Sequence, residues 1–175
     1  MENNDLKKIY DNPMYIRYIE NPSEELVLEA VKRNGMAIKY IKNPTDNVKL
    51  EAINAKGWAI QFIENPTEEM QLTAVSKDYD SIKYIKDPSE EVQLAAIRKY
   101  WAAIKFINNP TLEARREAVK GNEEAINYIN FDLDELKILV GDNIKINLGD
   151  KNVSFDDKVK LSLLKLDNAP IWSKW

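Results

Sequence analysis

The chain contains no cysteine and no histidine. Without cysteine there are no disulfides, thiol nucleophiles, iron–sulfur ligands or zinc ribbons. Without histidine the commonest general base is missing, and with it the Ser-His-Asp triad and nearly every transition-metal site. Glycine is scarce, 5 residues in 175, and Gly35, Gly57, Gly121, Gly141 and Gly149 are scattered. No phosphate-cradling glycine loop is therefore present. No apolar run approaches the roughly 18 residues that a membrane span needs. Neither sign of charge dominates, with a net charge of −4 and 31% charged residues. The isoelectric point near 5.1 lies far below the value of about 9 usual for a dedicated nucleic-acid-binding domain. The acidic start Met1-Glu2-Asn3-Asn4-Asp5 has no apolar stretch after it, so no signal peptide and a cytoplasmic location are expected. The length suits one domain, or one with a small appendage.

What is present is a repeat. Pro22, Pro44, Pro66, Pro88 and Pro110 are spaced 22 residues apart each time. Ala30, Ala52, Ala74, Ala96 and Ala118 keep the same step, as do Val31, Ile53, Val75, Ile97 and Val119. Ile38, Ile60, Ile82, Ile104 and Ile126 form a further column. Tyr40, Phe62, Tyr84, Phe106 and Tyr128 form an aromatic one, each followed by isoleucine. A fixed period of this kind marks stacked supersecondary units that cannot bury their apolar faces alone.

Each unit reads as two short helices. Asn21-Pro22-Ser23-Glu24 is a helix start, with Asn as the expected N-cap and Pro at the first helical position. The Glu is placed to close a capping box and to complement the helix dipole. Asn43-Pro44, Asn65-Pro66, Asp87-Pro88 and Asn109-Pro110 repeat the pattern. The first helix should run about 12 residues on its apolar spacing. A turn at Asn34-Gly35, and again at Gly57, should end it with a left-handed glycine cap. A second helix of about two turns follows, from near Met36 to Lys42.

With proline counted as position 1, apolar residues fall at positions 5, 7, 9 and 10 of the first helix. They cover two sides, which suits a helix sandwiched between neighbouring units. In the second helix, positions 16, 17, 19 and 20 are expected to point inward and position 18 outward, on a step of about 100° per residue. Five units spaced by roughly 10 Å would make a rod about 50 Å long. Residues 1–21 read as a degenerate N-terminal capping repeat, in which Lys8 replaces the alanine, and residues 22–131 as five full repeats. Residues 132–175 read as a C-terminal cap. There, Ile144–Leu148 alternates like a short strand or extended loop, and Ser154 starts a helix holding Val159, Leu161, Leu163, Leu164 and Leu166. The fold class expected is thus an all-α solenoid of about five to six two-helix repeats with a C-terminal capping segment.

The segment from Ile41-Lys42-Asn43-Pro44 to Ile53, and again Ile85-Lys86-Asp87-Pro88-Ser89-Glu90-Glu91-Val92-Gln93-Leu94-Ala95-Ala96-Ile97, resembles the short α-helical repeats of uncharacterised phage and bacterial proteins. These are distantly similar to HEAT-type α-solenoids. The resemblance covers about residues 5–130. It implies a binding solenoid, brings no catalytic residues with it, and suggests a phage or mobile-element protein that blocks a host defence component.

The search for chemistry finds little. Asp142-Asn143 and Asp150-Lys151-Asn152 lack the spacing of a calcium loop. Most carboxylates that could serve a two-acid hydrolase recur at helix starts (Glu24, Asp46, Glu68, Glu90), where the dipole explains them. Neither enzyme activity, metal nor cofactor is expected. Charge patterning says more. Position 18 of successive second helices holds Arg17, Lys39, Gln61, Lys83, Lys105 and Asn127. The outward positions 4 and 8 of the first helices hold Glu25, Glu29, Glu51, Glu69, Glu91, Glu113 and Glu117. A basic side and an acidic side follow. Arg17, Lys39, Lys83 and Lys105 are the candidates for contacting an acidic partner. In solenoids similar to this one the second-helix row often lines the concave surface.

The inter-helix turns read Gly35-Met36, Gly57-Trp58, Tyr79-Asp80 and Tyr100-Trp101. Trp58, Tyr79, Tyr100 and Trp101 are the candidates for an aromatic edge that anchors an interface. The function expected is non-catalytic protein binding, with no membrane involved. Nucleic acid along the Lys row is the first alternative. The second is a small-ligand pocket at the repeat and C-terminal junction, walled by Tyr128, Trp172 and Trp175.

Overall fold

The computed structural model describes residues 2–129. The expected C-terminal cap, its strand-like stretch and its helix, and the Trp172 and Trp175 wall of the junction pocket lie outside the described residues. Within them the structure is all-helical and alternates two kinds of helix. The α-helices are α1 (Glu2–Asp11), α2 (Glu24–Arg33), α3 (Asp46–Ala55), α4 (Glu68–Lys77), α5 (Glu90–Lys99) and α6 (Leu112–Gly121). Each is followed by a 3₁₀ helix: η1 (Pro13–Tyr18), η2 (Gly35–Tyr40), η3 (Gly57–Phe62), η4 (Tyr79–Tyr84), η5 (Trp101–Phe106) and η6 (Glu123–Tyr128). Residues 2–18 share this pattern although they lack the proline signal at their start.

The α-helices start two residues later than the Asn-Pro signal suggests. The N-caps are Ser23, Thr45, Thr67, Ser89 and Thr111, whose hydroxyls accept from the backbone N–H three residues on at 3.2 to 3.4 Å. The expected asparagine caps are therefore corrected. Asn21, Asn43, Asn65 and Asp87 instead adopt left-handed backbone, with φ of 48 to 50°. Right-handed helical backbone is disfavoured before proline, and Asn and Asp tolerate the left-handed alternative better than other side chains. The acids at positions 24, 46, 68 and 90 complement the dipole from the first helical position. The third helical position, where a capping box needs its acid, holds Leu26, Val48, Met70, Val92 or Ala114.

Each α-helix spans 10 residues and ends on an extended residue, as at Asn34 with φ −149°. Asn12, Asn34 and Asn122 then cap the 3₁₀ helix that follows, accepting from the N–H two residues on. Gly35 and Gly57 are not left-handed caps. They open η2 and η3, their φ lies outside the left-handed region, and their lack of a side chain answers to space. A Cβ on Gly35 would stand 2.1 Å from the Ala52 carbonyl oxygen, and one on Gly57 2.5 Å from that of Ala74.

The core follows the columns. Ala30, Ala52, Ala74, Ala96 and Ala118 are fully buried, and so are or nearly so Val31, Ile53, Val75, Ile97 and Val119 behind them. Ile16, Ile38, Ile60, Ile82 and Ile104 close it from the 3₁₀ side. The leucines at position 7 (Leu28, Leu50, Leu72 and Leu94) are only half-buried. Successive α-helices pack on one another, successive 3₁₀ helices do the same, and each 3₁₀ helix also meets the α-helix of the next unit. Contacts between units thus run mainly between sequence neighbours, and each unit buries its face on the next.

The second helix of each unit was expected to be α-helical, and its 3₁₀ form changes which residues show. At three residues per turn, side chains three apart eclipse one another. Positions 14, 17 and 20 form one inward face, as in buried Gly35 and Ile38 and half-buried Ile41. Positions 16 and 19 form a second, and positions 15 and 18 a third.

Candidate functional site

Arg17, Lys39, Lys83 and Lys105 each occupy the penultimate position of a 3₁₀ helix. All four are exposed, and because successive 3₁₀ helices pack side by side they lie on neighbouring elements. Gln61 and Asn127 fill the same position in η3 and η6 and are exposed too.

The aromatic column at position 19 was expected inside. It is instead outside, next to the cations. Tyr18, Phe62, Tyr84, Phe106 and Tyr128 are all exposed, from 38% for Phe62 to 62% for Tyr18, and Tyr40 is half-buried. On the 120° step of a 3₁₀ helix position 19 eclipses position 16, whose small side chains (Ala37, Ala59, Ser81, Ala103 and Ala125) are fully buried, so the step by itself does not account for the exposed rings. Isoleucine at positions 17 and 20, three apart, was the sequence signal for that step.

Cations and rings interleave along this face. The Arg17 guanidinium lies 4.5 Å from the Tyr18 ring centroid and 5.9 Å from that of Tyr40. Lys39 stands 4.7 Å from the Tyr40 ring. Lys83 lies within 5.0 Å of Tyr84 and 5.7 Å of Phe106. Lys105 lies 4.1 Å from Tyr128 and 5.2 Å from Trp101. Several of these pairs cross from one repeat to the next, so the ladder joins units instead of decorating them singly. Cation–π contacts of this kind contribute about 0.5–1 kcal/mol each at exposed sites.

The expected aromatic edge divides. Tyr79, Tyr100 and Trp101 form a chain, with ring centroids 4.8 Å apart for the first pair and 5.9 Å for the second. Trp101 continues it to Tyr128 at 6.4 Å, where it meets the ladder. Tyr79 and Trp101 open their 3₁₀ helices, whereas Tyr100 is the extended residue one place earlier and is the exposed member. Trp58, at the second position of η3, belongs to a separate polar knot. Its indole N–H donates to Asp80 Oδ1 at 2.7 Å, and Lys83 Nζ donates to Asp80 Oδ2 at 3.0 Å. Lys83 and Lys56 also lie over the Trp58 ring at 4.4 and 4.7 Å. Asp80 was not singled out in the sequence. The signal was its place three residues before Lys83, which a 3₁₀ helix eclipses.

Charge confirms the pairing. Burial pushes the Asp80 carboxyl up, but hydrogen bonds from the Trp58 indole and Lys83 outweigh it and hold the group below its ordinary 3.8. The same bond to Asp80 raises Lys83. At the other end, Lys39 and then Arg17 lower the Tyr40 hydroxyl below its ordinary 10.0.

The acidic side is partly neutralised. Glu29 pairs with Arg33, Glu113 with Arg116, and Glu117 with Arg98 and Lys120. A groove of about 380 Å³ opens between the ends of η4 and η5, where Lys83, Lys86, Gln93, Phe106 and Asn109 line it. The Gln93 amide is already engaged, donating to the Pro88 carbonyl at 3.0 Å and accepting from the Thr111 N–H at 2.9 Å. Among the described residues no helix is long and apolar enough to cross a membrane.

No family model, curated protein or solved structure matches this chain.

Proposed function

We propose that the repeats form an α-solenoid whose 3₁₀ face binds a protein partner of acidic surface, without catalysis. The observation that carries this reading is the interleaved ladder. Large aromatic side chains at a fixed position stay at the surface in every repeat but the one with half-buried Tyr40, although the same repeats bury their alanine and isoleucine columns. Exposed contiguous apolar surface rimmed by cations is what protein interfaces use, with aromatic and Arg anchors carrying most of the energy. Successive 3₁₀ helices in contact would present it as one extended strip.

A second reading has one observation in its favour. Alternating cations and rings also suit single-stranded nucleic acid, whose bases stack on aromatics while the backbone follows the charges. The net charge of −4 and the neutral Gln61 and Asn127 steps favour the protein reading.

The test is capture of partners from the native lysate by the tagged chain, with and without nuclease, alongside a variant carrying Lys39→Glu, Lys83→Glu and Lys105→Glu. The expected result is a stoichiometric protein that survives nuclease and is lost by the charge-reversed variant, which still folds by circular dichroism. Retention of the same protein by that variant would remove the basic face from the proposal. Collapse of the captured set on nuclease treatment would put nucleic acid first.

A further inference from the structure

The basic row changes character along its length. Lys83 is compensated by Asp80, and the other oxygen of that carboxylate holds the Trp58 indole. Gln61, the preceding member, donates to the backbone carbonyl of Trp58 at 2.9 Å. The middle of the row is therefore closed on itself. The η1–η2 end is different. The Arg17 guanidinium donates to the Tyr18 hydroxyl, and Lys39, from the next repeat, lies over the Tyr40 ring. Among the described residues neither Arg17 nor Lys39 has a carboxylate partner, whereas Arg33, Arg98 and Arg116 each hold a glutamate.

Two cations from adjacent repeats thus converge on a pair of tyrosines, with no carboxylate to neutralise them among the described residues. Hydrogen bonds from Lys39 and then Arg17 already favour a negative oxygen at that spot, because they lower the Tyr40 hydroxyl. A guanidinium offers a planar fork of five N–H donors that matches a carboxylate, and its bonds to the Tyr40 and Tyr18 hydroxyls leave the remaining donors of that fork available. Resting on the protein-binding reading above, we propose that Arg17, Lys39, Tyr18 and Tyr40 form the receptor for carboxylates of an acidic peptide segment of the partner. Lys83 serves the internal Asp80–Trp58 knot and contributes little to that contact. The acidic surface of the α-helices favours a peptide with local carboxylates over a long polyphosphate, which would meet repulsion beyond the row.

The experiment uses a fluorescein-labelled Gly-Ser-Gly-Glu-Glu-Glu-Gly-Ser-Gly peptide as probe, read by fluorescence anisotropy on the full chain at low salt. The double variant Arg17→Gln/Lys39→Gln should weaken binding about tenfold or more, the worth of one lost charge-assisted hydrogen bond. Lys83→Gln should change it by less than about twofold, in the range of an exposed, already paired charge. Both side chains are exposed, and unchanged circular dichroism will show that the fold is kept. Absence of binding to the wild-type chain overturns the receptor. So does a loss from Lys83→Gln equal to that of the double variant, although the basic row as a whole then survives. A labelled single-stranded oligonucleotide that outcompetes the peptide and depends on the same two residues would also overturn it, as a phosphate site. The charge-reversal capture described above shares Lys39 with this receptor but reads the native partner, so a captured protein that depends on the row while the peptide probe fails leaves the protein-binding reading standing without this receptor.

Discussion

The four central 3₁₀ helices, η2 to η5, open in two different ways. At η2 and η3 the first residue is glycine, and the neighbouring α-helix presses its backbone to within 2.1 and 2.5 Å of where a Cβ would be. At η4 and η5 the same position carries Tyr79 and Trp101, whose rings join the Tyr100 chain. Since a Cβ does not approach backbone atoms below about 3 Å, the next α-helix must leave more room at Tyr79 and Trp101 than it does at Gly35 and Gly57. The α-helical columns are the same in both halves. This one position is therefore where neighbouring units adjust their fit, by bare backbone contact in the first half and by an aromatic filler in the second.

The sharpest way to break the comparison is to put a methyl where the backbone contact is. Gly35→Ala should cost about 3 kcal/mol, because the clash is with a backbone carbonyl that cannot rotate away. Gly121→Ala is the control. Among the described residues its Cβ would meet only the Trp101 Cβ, at 3.1 Å, so its effect should be within about 1 kcal/mol. Urea denaturation of the two variants measures the difference. An equal, small effect at both sites would mean that the glycine turns are not close contacts.

A smaller effect of opposite sign comes from Ser81. It stands at position 16 of its repeat, in η4, where the other full repeats have alanine, and its buried hydroxyl has no hydrogen-bond partner among the described residues. Ser81→Ala should stabilise the chain by about 1 kcal/mol, since it removes a desolvated polar group that gains nothing. Thermal denaturation checks it. A loss of stability would show that the hydroxyl is engaged in solution.

The smallest effect concerns Asp80, which ties η3 to η4. Its folded-state pKa is lowered, so its contribution is complete above the ordinary value of 3.8 and is lost as the pH falls through the lower folded value. Asp80→Asn should cost about 0.5–1 kcal/mol at neutral pH, in the range of a partly exposed ion pair with one further hydrogen bond. The gap between variant and wild type should close on acidification below pH about 3.8. A gap that is constant with pH would assign the loss to packing of Trp58 instead.

Much of this fold was legible in the residues. The unbroken alanine column and the valine/isoleucine column behind it placed the α-helices and their buried faces, because a side chain at 100° steps is either inside or outside whatever its neighbour does. The exposure of Arg17, Lys39, Lys83 and Lys105 followed in the same way. What misled was the local grammar at the turns. Asn before Pro has the composition of an N-cap, and only the observed backbone shows that Asn43 is left-handed while Thr45 does the capping. Gly35 after a helix likewise has the composition of a C-cap, and only the distance to Ala52 shows that space is the reason.

The sequence by itself determined the period, the units, the buried aliphatic columns and a cationic position in most repeats. These depend on intervals along the chain, which packing cannot alter. The tertiary structure decided the 3₁₀ form of the second helices, the surfacing of the aromatic column, the neutralisation of Lys83 by Asp80 and the convergence of Arg17 and Lys39 on two tyrosines. Those outcomes rest on contacts between adjacent units and on a six-residue helix too short to be stable alone, so the neighbour across the interface sets its pitch and the faces it shows.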